Sequence, residues 1–223
     1  MLPPTSAIAD VLQLRGREGW LSPPLLPVHR APAVLGTART VRLAAGPGGL
    51  TPLHRLLDED LGGRVIVIAG AEAAAGAVWG EILTVSALRA GAVGAVVEGG
   101  VRDVGAVREL GLPLWALHEA TAGPGPLVHV AAVGERVSVA GVPVADGDMI
   151  VMDGGGVVAV PDRRVLADAG AYAAAEADVV TALRAGASLA EAYRHKADLV
   201  AALRAGHARR ELREPARPPA AWR

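Results

Sequence analysis

The sequence predicts an α/β domain with a C-terminal helical extension, and three stretches carry that prediction. The first, Arg64 to Asp103, reads as strand, loop, helix, strand and charged turn. Arg64 to Gly70 (RVIVIAG) is a branched apolar run between Gly62-Gly63 and Gly70, with the length and composition of a strand buried on both faces. Gly80 to Ala90 places Ile82, Leu83, Val85, Ala87 and Leu88 at helical spacing and stops at Arg89 and Gly91, after which Ala92 to Val97 is a second buried strand. The second stretch holds short β runs at Val128 to Val133, Arg136 to Val139, Val142 to Val144, Met149 to Met152 and Val157 to Val160, separated by Gly and Asp turns. It reads as a β-rich layer without further crossovers. The third, from Arg163, is helical. The expected boundaries are 1–165 for the α/β domain, 166–210 for the helical extension and 211–223 for a disordered tail.

In chain order, Pro4-Thr5-Ser6 precedes IADVLQL, a short helix for which Thr5 or Ser6 is the expected cap. Trp20 to Pro32 contains four prolines and reads as an irregular connection. Val34 to Leu43 alternates like a strand, Gly46 to Gly49 is a turn, and Leu50 to Leu61 is an amphipathic helix. Val104 to Leu110 is a short helix for which Asp103 is a candidate cap, and Leu112 to Leu117 is a strand ending in His118-Glu119. Gly154-Gly155-Gly156 reads as a tight turn with Asp153 as a turn residue, because no helix follows that would make a dinucleotide loop. Two helices, Val165 to Ala185 and Leu189 to Ala205, are separated by Gly186-Ala187-Ser188, where Ser188 and Glu191 fit a capping box.

A parallel crossover brings two strand C-termini to one edge, the usual ligand edge of an open α/β sheet. Three charged residues fall there: Glu81 at the helix start, and Arg102 and Asp103 after the second strand. The backbone N–H groups of Gly80, Glu81, Ile82 and Leu83 are unpaired at a helix start and suit an anion. Arg102 offers a planar fork that fits a carboxylate. Asp103 and Glu81 are hard oxygen donors of the kind that hold magnesium with the help of waters. Together these groups describe a site for a small oxo-acid chelated to a divalent metal. The competing reading is structural: Glu81 complements the helix dipole, and Arg102 and Asp103 form a surface ion pair.

Glu81, twenty intervening residues and then Arg102-Asp103 resembles the acidic-X20-Arg-Asp signature of class II 4-hydroxy-4-methyl-2-oxoglutarate/4-carboxy-4-hydroxy-2-oxoadipate aldolases. Their family also contains the regulator of RNase E activity A. The similarity runs from about Ala33 to about Tyr193 and takes in GAVVEGGVRD, GDMIVMDGGGVVAVP and LRAGASLAEAY. The resemblance implies a swivelling-type β/β/α sandwich assembled as trimers or hexamers, with the site at a subunit interface. It also implies that Arg102 binds the pyruvyl unit and polarises its keto oxygen, that Asp103 anchors Mg2+ or Mn2+, and that Glu81 sits in the outer metal shell. The amides near Gly80, Ile82 and Leu83 would take the substrate carboxylate. His118-Glu119, where the family more often has a small residue or glycine, and Gly155, where it often has an acid or amide, depart from the pattern.

Composition narrows the chemistry. The chain has 223 residues, a net charge of −1 and no cysteine, which leaves no disulfide, thiolate metal site or cysteine nucleophile. Lys196 is the only lysine and lies in a charged helical stretch, so Schiff-base and pyridoxal-phosphate chemistry lack a lysine beside a site. The signatures of serine hydrolases, P-loop enzymes and zincins are absent. Carbon–carbon chemistry must then lean on a metal as electron sink. No apolar run approaches the roughly 18 residues of a membrane span, and the first residues lack the pattern of a signal peptide, so a cytoplasmic protein is expected. Residues 184–223 carry nine Lys or Arg against four Asp or Glu, which reads as a solvated basic tail; no nucleic-acid partner is expected.

The expected function is a metal-dependent lyase that cleaves a 4-hydroxy-2-oxo diacid to pyruvate and a second oxo-acid, with oxaloacetate decarboxylation as a related activity. The alternative is a non-catalytic regulator that binds a ribonuclease or another protein. His118 is a further acid–base candidate without a visible partner.

Overall fold

The computed structural model describes residues 1–21, 25–29 and 32–211, with side chains described up to residue 205. Its centre is the expected crossover. Strand β3 (Arg64–Ala69) leads through a single 3-10 turn (Ala71–Ala73) and strand β4 (Ala77–Trp79) into helix α3 (Glu81–Arg89), then strand β5 (Gly94–Val101). β3 and β5 pair in parallel, Val65 to Ile68 against Gly94 to Val97. Both strands are almost wholly buried, which is why they read as continuous apolar runs. Helix α4 (Val104–Leu110) follows β5 and leads to strand β6 (Leu114–Glu119), which runs parallel to β5. The ends of β4, β5 and β6 therefore lie at one sheet edge.

On the other side of β3 lies the twelve-residue strand β2 (Val34–Ala45), also parallel. Its far edge is divided between two antiparallel partners. Val34 to Thr37 pair with β10 (Met149–Met152), and Val41 to Ala45 pair with β7 (Val128–Val133). β10 continues into β11 (Val157–Val160). Strands β8 (Val137–Val139) and β9 (Val142–Val144) form a separate hairpin. The β-rich layer is thus antiparallel, as its short runs and turns suggest.

One sheet face packs under α3, α4 and helix α2 (Thr51–Leu56), around Ile66, Ile68, Ala95, Val97 and the buried Trp79. The opposite face packs under the β8–β9 hairpin, around Val65, Val67, Val96 and Trp115. A third cluster joins helix α1 (Thr5–Leu14) to the C-terminal helices α5 (Arg163–Arg184) and α7 (Arg194–Glu211) over Val151, Val158 and Val160. Arg15 of α1 pairs with Asp168 of α5. Lys196 is held between the rings of Tyr172 and Tyr193, each 4.9 Å away, and donates to Glu176 Oε1 at 2.9 Å. Burial works against its ammonium, but Glu176 and Tyr172 outweigh that and raise its pKa. The only lysine is therefore a clasp between helices.

Several expectations are corrected. The proline-rich stretch contains a strand, β1 (Leu26–His29), antiparallel to β6. Edge position explains it, because a proline in an edge strand need leave no ladder hydrogen bond unmade. α2 stops at Leu56, well short of Leu61, and the acidic Asp58-Glu59-Asp60 follows in a turn. Neither Thr5 nor Ser6 caps α1: Thr5 is already its first helical residue, and its N and Oγ1 donate to Asp153 at 2.8 and 2.6 Å. Asp103 does not cap α4 with its side chain either. The second C-terminal helix is split into α6 (Leu189–Ala192) and α7, although the Ser188–Glu191 capping box is present. The stretch expected to be disordered, 211–223, lies almost entirely outside the described residues.

Candidate active site

The edge built by β4, β5 and the start of α3 is fixed from beneath. Trp79, 1% exposed, donates through Nε1 to Thr84 Oγ1 at 2.8 Å. Thr84 in turn donates through both Oγ1 and N to the Gly80 carbonyl, at 2.9 and 3.0 Å. Arg102 N donates to the Trp79 carbonyl at 3.0 Å and so ties the end of β5 to the end of β4. Gly80 is consequently pressed against the Arg102-Asp103 turn. A Cβ on Gly80 would lie 2.8 Å from Asp103 Oδ2 and 3.1 Å from Arg102 Cγ, so no larger residue fits without displacing the charged pair. The φ of Gly80, −172°, is ordinary extended backbone, and the requirement is one of space alone.

Asp103 adopts a left-handed conformation, φ 55°, which aspartate tolerates better than most residues. This turns the backbone so that the Asp103 carbonyl accepts the first bond of α4, from Val107 N at 3.0 Å, while the carboxylate faces back toward Gly80. Arg102 Nε stands 3.7 Å from Asp103 Oδ2, and the two side chains are 44% and 46% exposed. That is too long for a hydrogen bond and too wet for a strong ion pair. Both groups keep most of their bonding capacity for a ligand. The loop after β6 closes the far side: Ala77 N donates to the Ala122 carbonyl at 2.9 Å, and a Cβ on Gly123 would lie 3.8 Å from Arg102 Nη1.

The structure thus brings Gly80, Arg102 and Asp103 together. Glu81 opens α3 with an exposed side chain and makes no ion pair among the described residues. Glu81, Ile82 and Leu83 form the first turn of α3, whose start at Gly80 has no side-chain cap. Ile82 is 73% exposed, whereas Leu83 packs partly on the core. Glu119 is drawn away to Arg108, Oε1 to Nη2 at 3.3 Å. His118 is exposed at the end of β6, beside Gly100.

Two acidic residues have structural duties here. Glu98, in β5, accepts from Gly70 N at 3.2 Å and from Ala140 N at 2.7 Å, and so joins the end of β3 to the β8–β9 hairpin. A carboxylate inside the apolar run GAVVEGGV is the sequence signal of such a duty, though the run otherwise reads as a plain buried strand. Asp153 accepts from Thr5, Gly155 and Gly156. Burial pushes its carboxyl up, but these hydrogen bonds outweigh that and hold it below the ordinary range. Asp153 is a turn residue, as expected, and in addition the latch on α1.

Among the described residues, no group of three or more His, Asp or Glu side chains could enclose a metal ion. A cation here would be held by few protein donors. Asp103 fits that role, since its half-exposed carboxylate has only a loose contact with Arg102, and magnesium is usually held by one or two carboxylates with several waters.

Comparison with known proteins follows the same stretch. Residues 5–159 match the family described as RraA-like, aldolase/RraA. A protein of Halalkalibacterium halodurans provisionally named 4-hydroxy-4-methyl-2-oxoglutarate aldolase is 31% identical over 158 residues, covering 71% of this chain and 72% of that one. Among solved structures, an uncharacterised protein from Pseudomonas syringae pv. tomato superposes with a TM-score of 0.75 at 27% identity, over 85% of this chain and 92% of that one. Streptomyces coelicolor RraAS2, described as an unusual member of the RNase ES inhibitor RraA protein family, superposes with a TM-score of 0.66 at 28% identity, over 74% of this chain and 84% of that one. The matched residues end just before α5, so the helical arm lies beyond the shared profile. Sequence signature, fold and relatives agree: the chain belongs to the RraA-like family of aldolases and RraA proteins.

Proposed function

We propose that this protein is a divalent-metal-dependent lyase that cleaves a 4-hydroxy-2-oxo diacid to pyruvate and a second oxo-acid, and that also decarboxylates oxaloacetate. The observation that carries this reading is the Arg102-Asp103 pair, held against Gly80 yet loosely joined and half-exposed. The aldolase-named relative supports the same chemistry. Asp103 would hold Mg2+ or Mn2+, which supplies Lewis-acid stabilisation of negative charge developing on the pyruvyl oxygen. Arg102 binds the pyruvyl carboxylate and keto oxygen through its fork and strengthens its hold as charge builds there. The first-turn amides at Ile82 and Leu83 orient the carboxylate, and Glu81 orders water at the opening. Ile82, Val85 and Leu88 expose apolar side chains along α3 beside this opening, which supports assembly as trimers or hexamers with the site at the subunit interface.

The test is pyruvate release from 4-hydroxy-4-methyl-2-oxoglutarate and from oxaloacetate with Mg2+, with Mn2+ and with chelator. Metal-dependent release is expected, and Arg102→Ala should lower it by about 10²–10³-fold while leaving the oligomer intact. Undiminished turnover in Arg102→Ala would remove the assignment. Similarity to RraAS2 favours a second reading, a regulator that binds a ribonuclease. Recovery of a ribonuclease with the purified protein, together with no metal-dependent turnover, would establish it.

A further inference from the structure

The geometry points to His118 as the catalytic proton carrier of this site, a role that rests on the lyase reading above. His118 lies in register with Gly100 on the parallel neighbour β5. A Cβ on Gly100 would stand 3.1 Å from His118 Nε2, so the imidazole leans over the β5 backbone rather than away from it. Gly100 precedes Arg102 by two residues, the spacing that puts side chains on one side of an extended chain. The segment after His118 then wraps the arginine. Ala120 N donates to the Val101 carbonyl at 2.8 Å, and Gly123 comes against Arg102 Nη1. His118 and Gly123 are thus the two ends of one short segment, the first against Gly100 and the second against the guanidinium.

The imidazole is also unengaged. It is exposed and makes no hydrogen bond or ion pair among the described residues. Its neighbour Glu119 is committed to Arg108, which is itself anchored on the Val28 carbonyl at 2.9 Å. Three other acid–base groups are occupied elsewhere: Lys196 by Glu176 and Tyr172, and Glu98 and Asp153 by backbone amides. Of the carboxylates at the opening, Asp103 is assigned to the cation and Glu81 to water in the reading above. Glycine at position 100 is what leaves room for the ring, and a side chain there would have to push it aside.

The step balances without a further reactant. Neutral imidazole takes the proton of the substrate's C4 hydroxyl as the C3–C4 bond breaks. The oxygen electrons form the carbonyl of the departing oxo-acid, and the bond pair moves into the pyruvyl unit as its enolate. The imidazolium then returns the proton to C3, giving pyruvate and restoring neutral histidine. The same group also exchanges the methyl protons of pyruvate with solvent, a partial reaction that needs no carbon–carbon cleavage.

The experiment compares the full-length protein with His118→Gln, His118→Ala and Arg102→Ala, all with Mg2+. It measures pyruvate release from 4-hydroxy-4-methyl-2-oxoglutarate and loss of the pyruvate methyl signal in D2O by proton NMR. Both His118 variants should lose about 10²-fold or more in kcat with little change in KM, and methyl exchange should fall in parallel. Added imidazole should restore His118→Ala but not Arg102→Ala. Wild-type kcat and exchange in His118→Gln, with both lost in Arg102→Ala, would overturn the role of His118 and leave the lyase standing. So would a raised KM at unchanged kcat, since that marks a residue shaping the pocket only. A wild-type protein that neither releases pyruvate nor exchanges its methyl protons would overturn the lyase reading, and the role with it.

Discussion

Asp103 and Asp153 each stand just past a strand of the same sheet, in a glycine-rich turn, and in sequence they look alike. Their surroundings separate them. Asp153 receives hydrogen bonds from two backbone amides of its own turn and from the N and Oγ1 of Thr5, so its carboxylate is spent on holding α1 to the β10–β11 turn. The Asp103 carboxylate has one ion-pair partner among the described residues, Arg102 at 3.7 Å, and the backbone is already turned by its left-handed φ. A carboxylate whose capacity is used inside the fold is architecture; one left with open capacity beside an arginine and a helix start is available for chemistry.

Matched substitutions break or sharpen this contrast. The largest effect is expected from Asp103→Asn, which keeps the tolerance for a left-handed backbone and removes the charge. Pyruvate release should fall by about 10²-fold or more, while the midpoint of unfolding changes by no more than about 0.5 kcal/mol equivalent. A large loss of stability without loss of turnover would merge the two aspartates into one class. Gly80→Ala comes next. Its methyl would meet the Asp103 carboxylate and the Arg102 stem, and a displacement of this size should lower kcat by about 10–10²-fold in a protein that still folds. Full activity there would mean that the pair can shift without consequence.

Asp153→Asn should do the reverse of Asp103→Asn. It places an amide where Thr5 donors now point, and should cost about 1–2 kcal/mol in denaturant unfolding with kcat and KM unchanged. The smallest effect is a pH dependence. The folded-state pKa of Asp153 lies below that of the unfolded chain, so its contribution is fully present above about pH 4 and is lost as pH falls through the lower folded value. The difference in Tm between wild type and Asp153→Asn should therefore be full at neutral pH and narrow in acid. A gap of constant size down to pH 2 would show that the carboxylate's charge plays no part.

How much of this was legible depended on where the stabilising partners lie. β3 and β5 were readable because burial on both faces demands apolar residues at every position. The three-residue β4 and the proline-containing β1 were not, because each is set by a partner far away in sequence: β4 by β5, and β1 by the outer edge of β6. α2 was read too long because the apolar Leu57 and Leu61 continue the pattern, although they are buried from a turn and not from a helix. Within the site, Arg102, Asp103 and Glu81 were visible as charges at a sheet edge. The need for glycine at 80 and 100 was not, since it arises from side chains that approach from other segments.

The division of the β2 edge between β10 and β7 has a consequence for how the chain is made. Leu35 must wait for Val151, and Val41 for Val133, so a nascent chain carries part of one β2 edge bare until the ribosome has passed residue 152. An unpaired edge is where strands of different chains find one another, and contacts this far apart in sequence close slowly. Translation that stalls between β7 and β10 should therefore yield aggregation-prone chains in which the β3–β5 crossover already exists. Those chains would depend on a holdase at a stage when the residues of the candidate site have all been synthesised.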